Sequence, residues 1–102
     1  MIIQLFKITQ NIIIQNQGKA TLILKHKTGK WLLPGGKIQK DESWIKALRR
    51  EIKEETGITE FEIKKILDID SWTEDETGYY VVTFVAKIPK LGKITLSDEH
   101  ID

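Results

Sequence analysis

The chain has 102 residues, 40% hydrophobic and 30% charged, with 16 Lys and Arg against 15 Asp and Glu and a formal charge of +1. That length makes one domain, 1–102, near the lower end of what sustains its own core, and the near-neutral balance sets up no field toward nucleic acid or an anionic membrane. Lack of cysteine excludes disulfides and thiolate metal sites, and no apolar run approaches a membrane span.

In chain order, the opening Met1 to Phe6 is apolar but too short for a signal peptide, so a cytoplasmic location is expected, with neither a membrane nor a stable nucleic-acid partner. Ile2 to Ile8 and Ile12 to Ile14 read as short β-prone runs, broken around Gln10-Asn11. Ala20 to Leu24 is a further apolar run, and Lys27-Thr28-Gly29-Lys30 has turn chemistry. Trp31-Leu32-Leu33 predicts a short strand that Pro34-Gly35-Gly36 stops, because Pro lacks an N–H and Gly favours tight turns. Ser43 to about Thr56 contains neither Gly nor Pro and predicts a helix, with Gly57 placed to end it in the left-handed conformation. Phe61 to Ile69 and Tyr79 to Ile88 predict two more strands, separated by a polar loop or hairpin turn over Ser71 to Gly78. Strands, one helix, then strands imply an α+β fold with a mixed sheet.

At about 100° per residue the helix carries Ile45, Leu48 and Ile52 on one stripe and Lys46, Arg49 and Lys53 on a solvated basic flank. Glu55 borders the apolar stripe, with Glu51 its neighbour one turn earlier, while Glu54 and Arg50 lie on the far side. Two carboxylates at the edge of a core must be neutralised or paired, and a hard divalent cation bound through oxygen ligands would do so. The plainer alternative is a helix laced with surface ion pairs such as Arg50 with Glu54. The edge placement of Glu55 and the glycine turn before the helix weigh against it, since glycine lets backbone approach a ligand or offer a carbonyl to a metal.

Gly36, five residues, Glu42, seven residues and Arg50-Glu51-Ile52-Lys53-Glu54-Glu55-Thr56-Gly57-Ile58 resemble the signature of the Nudix hydrolases over 36–58 without a mismatch. Seven fixed positions at roughly 5–7% usage each make a chance match on the order of one in 10⁹ per start position. The resemblance extends to Trp31-Leu32-Leu33-Pro34-Gly35-Gly36 and implies the Nudix fold, a mixed β-sheet with a loop–helix motif. It also implies hydrolysis of nucleoside diphosphates linked to a group X with Mg²⁺ or Mn²⁺. It assigns Glu51, Glu54 and Glu55 as metal-binding and catalytic carboxylates, the Gly35 carbonyl as a further ligand, and Arg50 as the residue that orients them. Glu42 would pack or pair within the motif.

In Ser97-Asp98-Glu99-His100, Glu99 resembles the family's downstream acidic position, with Asp98 second, although the segment is also ordinary turn composition. His26 and His100 have no spaced partner and read as surface residues. Asp41 stands where the family often has Gly, so an Asp must make the turn before Glu42. The family commonly continues with another strand and a C-terminal helix, whereas this chain stops at Asp102; the resemblance then implies a minimal or truncated version, or a layer supplied by a partner, a homodimer among the options.

The Leu-Pro-Gly-Gly form resembles the MutT-like branch acting on nucleoside triphosphates. Lys37 is placed to reach a phosphate, although a solvated lysine is the more ordinary reading. Trp31, Trp44, Trp72, Tyr79 and Tyr80 are the aromatic platforms on offer for a base, with Trp31 and Tyr79 the foremost, although a core or surface role is the more ordinary reading of each. Tyr79 and Tyr80 must face opposite sides of their strand. A binding domain without catalysis is the rival reading, against which the full set of glutamates argues.

Overall fold

Burial alternates along the first strand, β1 (Phe6–Gln15): Gln10, Ile12 and Ile14 are buried, with Thr9, Asn11 and Ile13 less so between them. In this computed structural model residues 1–15, 24–25 and 30–88 are described, with 24, 25 and 31 described by backbone alone. The expected break at Gln10-Asn11 is absent, and the strand begins at Phe6 rather than Ile2. Gln10 is tolerated inside because its Nε2 donates to the Trp44 carbonyl at 2.8 Å, so the buried amide has a partner.

Two short strands, β2 (Leu24–Lys25) and β3 (Trp31–Leu32), pair antiparallel with each other. β4 (Gly35–Lys37) pairs antiparallel with β1. The sequence then enters α1 (Trp44–Thr56), followed by β5 (Glu62–Glu74) and β6 (Thr77–Lys87). The main sheet runs β4-β1-β6-β5, with β1 parallel to β6 and both other pairings antiparallel, so the mixed α+β expectation holds.

The polar segment Ser71 to Gly78 is mostly strand. Only Asp75 and Glu76 turn the chain, both at positive φ (49° and 67°), and Glu74 pairs with Thr77 across them. Such a two-residue turn fits the twist of the flanking strands. It also sets Trp72 opposite Tyr79, whose rings stack at 5.5 Å.

Helix α1 starts one residue after the expected Ser43. Ser43 is its N-cap, accepting the Lys46 N–H on Oγ at 3.3 Å, and Gly57 ends it at φ 79° with its N–H donated to the Lys53 carbonyl. Thr56 reinforces that end, donating from Oγ1 to the Ile52 carbonyl at 2.7 Å and accepting the Ile58 N–H at 3.1 Å. Leu48 and Ile52 face the sheet and form one cluster with Ile12, Ile14, Phe84, Ala86 and Ile88. Trp44, though half exposed, lies flat on Phe84 at 5.2 Å between ring centres, a packing role at the apolar edge.

Candidate functional site

The site grows from β4, where two glycines bring backbone against the helix. Ladder bonds alternate in an antiparallel pair, and Ile12 N–H to Pro34 O together with Ile38 N–H to Ile8 O make Asn11 and Gly35 a pair that exchanges no main-chain bonds. The Gly35 N–H is instead donated to Glu55 Oε1 at 3.0 Å. Gly35 has φ 155°, and a Cβ there would come within 2.6 Å of the Asn11 Cα. At Gly36 the obstacle is a side chain: a Cβ would lie 2.6 and 2.7 Å from the two carboxylate oxygens of Glu51. Glu51, the first carboxylate of the motif's helical part, therefore rests on the backbone of this strand.

Arg50 ties loop to helix. Its Nε and Nη2 hold Glu42 in a fork at 2.7 and 2.9 Å, Nη1 meets Glu51 at 2.7 Å and Glu54 at 3.5 Å, and Nη2 also donates to the Lys37 carbonyl at 3.2 Å. Hydrogen bonding from Arg50, then from the Gln39 N–H, lowers the Glu42 pKa from 4.5 to about 2. The hydrogen bonds Arg50 donates to Glu42 and Glu51 raise its own pKa in turn. Asp41 makes the turn before Glu42 at φ 63°, the conformation expected of it.

The carboxylates differ in surroundings. Glu55 is buried, Glu51 is half-buried against Gly36, and Glu54 is exposed. Among the described residues no group of three acidic or imidazole side chains converges into a ready cation cage. Glu51 is drawn toward Arg50 while Glu55 is held on the Gly35 amide, which sets them on different partners.

A model of the NUDIX domain matches residues 5–102. The chain belongs to the Nudix family. A putative Nudix hydrolase of Caenorhabditis elegans is 32% identical over 83 residues, covering 76% of this chain and 22% of its own length. The uncharacterized Nudix hydrolase YvcI of Bacillus subtilis is 42% identical over 48 residues, 47% of this chain and 30% of its own. The chain thus spans less than a third of either curated relative. Among solved structures, a MutT protein from Methanosarcina mazei superposes with a TM-score of 0.80 at 29% identity, over 100% of this chain and 77% of that one. An Ap4A hydrolase of C. elegans gives 0.80 at 24% identity, over 94% of this chain and 76% of the other, a likeness of fold. The Nudix fold expected from the box is the fold found.

Within this Nudix domain, Gly35, Arg50, Glu51, Glu54 and Glu55 meet at one edge of the sheet, with the Lys37 carbonyl joined to them through Arg50. Lys37 also lines a groove of about 420 Å³ with Phe6, Lys7, Ile8 and Ile38. Tyr79 and Trp72 lie on the sheet face away from the helix, in register with Lys7; Lys37, in register with Thr9, belongs to that same face. Tyr80 faces the helix side and meets Phe6 edge-on at 6.2 Å. The Trp31 side chain, Glu99 and its alternative Asp98, both histidines and the expected C-terminal departures lie outside the described residues. Among the described residues no helix is long and apolar enough to cross a membrane.

Sequence reasoning missed the Gln10 bond to the first residue of the helix, although the alternation Ile8, Gln10, Ile12, Ile14 marked Gln10 as inward-facing. The Trp72–Tyr79 stack was legible only after the turn was placed at Asp75-Glu76.

Proposed function

We propose that this chain is a metal-dependent pyrophosphohydrolase, cleaving the pyrophosphate linkage of a nucleoside diphosphate linked to X, with nucleoside triphosphates the favoured substrates and water attacking phosphorus. The reading is carried by the docking of the glutamate helix on the double glycine: Glu55 buried on the Gly35 N–H and Glu51 lodged where a Gly36 side chain would stand. Hard oxygen donors of this kind suit Mg²⁺, with Mn²⁺ the alternative, and the residues that would hold it are Glu51, Glu54, Glu55 and the Gly35 carbonyl. When bound, such an ion neutralises phosphate charge and lowers the pKa of water.

The chain's own groups do the rest. Arg50 fixes Glu51 and limits the swing of Glu54, so the reacting carboxylates are oriented before substrate arrives. Glu51 or Glu54 accepts the proton of the attacking water, and Glu99 adds a further carboxylate from the C-terminal segment. Lys37 meets the distal phosphates, and Tyr79, backed by Trp72, offers a flat face to the base; Trp31 is the remaining aromatic on offer. A cytoplasmic location accords with nucleotide substrates.

The test is release of phosphate or pyrophosphate from a panel of nucleotides with Mg²⁺, comparing wild type with Glu54→Gln and Glu55→Gln. Metal-dependent turnover that collapses in both variants supports the hydrolase. Nucleotide binding without turnover in the wild type would leave a binding domain in its place.

A further inference from the structure

Among the described residues β5 is the edge strand of the main sheet, and every residue from Lys64 to Glu74 along it is exposed. Three of them are aliphatic: Ile66, Leu67 and Ile69, at 54%, 50% and 50%. A long edge of unpaired main-chain groups is a template for another strand, and apolar residues on it make a stronger one. Lys65 and Asp70, in register with Val85 and Val81, lie on the face away from the helix; Ile66 and Ile69, in register with Phe84 and Val82, lie on the helix side. Opposite charges thus share one face and two isoleucines the other.

We propose that a second copy of this chain pairs here, β5 antiparallel to β5 about a two-fold axis between Leu67 and Asp68. Lys65 then stands opposite the partner's Asp70 and Ile66 opposite the partner's Ile69, each contact occurring twice. The ladder to β6 shifts register between Ile66 and Asp68, and the two-fold sets one irregularity against its own copy, so the paired side chains keep matching faces. A two-fold centred on Ile66 also matches faces and pairs Lys64 with Asp68, but it opposes Glu62 to Asp70, and its charges cancel. Cross-strand pairs of opposite charge therefore select the first register. The contacts are solvent-exposed, so association is weak, concentration-dependent and weakened by salt.

The experiment is sedimentation equilibrium of the full chain at low salt, for wild type, Lys65→Asp, Asp70→Lys and an equimolar mixture of the two variants. Circular dichroism on each variant confirms folding. Wild type should self-associate, and each reversal alone should raise the dissociation constant roughly tenfold or more, since it sets like charges opposite one another. The mixture should recover association. In a mixed pair the two substituted positions, now of opposite sign, face each other at one end, and the unaltered Lys65 and Asp70 face each other at the other. A wild-type monomer at several hundred micromolar overturns the proposal. So does a dimer indifferent to both reversals, or one that Asp70→Lys strengthens, the result expected of the Ile66-centred register. None of these readouts depends on catalysis.

Discussion

The Glu51 carboxylate fills the space that a side chain on Gly36 would need, with both its oxygens within 2.7 Å of the missing Cβ. A carboxylate of the motif and a strand backbone thereby compete for one volume. Gly36→Ala should push Glu51 off the strand without emptying any core position. We expect turnover with Mg²⁺ to fall about 10²-fold, the scale of a misplacement of about 1 Å, while the thermal midpoint moves by only a few degrees. Steady-state kinetics beside a melting curve checks both parts.

Glu55 joins stability to the site. Removing its carboxylate leaves the Gly35 N–H without the acceptor it now has at 3.0 Å. A buried donor left unpaired costs about 1–3 kcal/mol. Glu55→Ala should therefore lower the unfolding free energy from urea titration by that amount, whereas Glu55→Gln, which keeps an oxygen acceptor, should lose less stability while still losing turnover. Equal loss in both variants would mean that the Gly35 bond carries no weight.

The Glu42–Arg50 fork predicts an acid response with a definite sign. Arg50 holds the Glu42 pKa at about 2, below the ordinary 4.5, so the folded state favours the charged carboxylate. That contribution is complete above about pH 4.5 and is lost as the pH falls toward about 2. Glu42→Gln should accordingly melt below wild type at pH 7, and the gap should close across that window. Thermal melts at intervals between pH 7 and pH 2 would show the convergence, and a gap that stays constant would argue against it.

The hairpin turn stores strain. Glu76 sits at φ 67°, a region costing an L-residue about 1–2 kcal/mol, and glycine adopts it freely. Replacing Glu76 by Gly keeps the main-chain carbonyl that Gln4 Nε2 bonds at 3.1 Å. After the entropy lost by the added glycine, a net gain of about 0.5 kcal/mol is expected, read as a rise in midpoint of a few degrees.

The helix and its C-terminal cap were legible because Gly57 and a run free of Gly and Pro are local signals, and the motif's carboxylates because periodicity alone puts Glu55 beside the apolar stripe. Strand limits were less so. Gln10-Asn11 and Ser71 to Glu74 look like breaks by composition, and contacts between elements hold them extended: the distant Trp44 carbonyl for Gln10, and across the hairpin the Tyr79 ring for Trp72. The buried state of Glu55 could be foreseen, but not its partner. Which amide it accepts depends on the alternation of bonds in the β1–β4 ladder, and that is a matter of register.

The parallel pairing of β1 with β6 joins Phe6 to Gly78, about seventy residues away, and β4 in turn hangs on β1. The hairpin β5–β6 and the helix can form from neighbouring residues; the β1–β6 contact must await loop closure across nearly the whole domain, the kind of pairing that slows folding. The double glycine touches the glutamates directly, but the strand that carries it is held in the sheet by β1. The proposed site is therefore settled late in the life of each newly made chain: until β6 is made, β1 and the β4 strand paired to it lack their place in the main sheet.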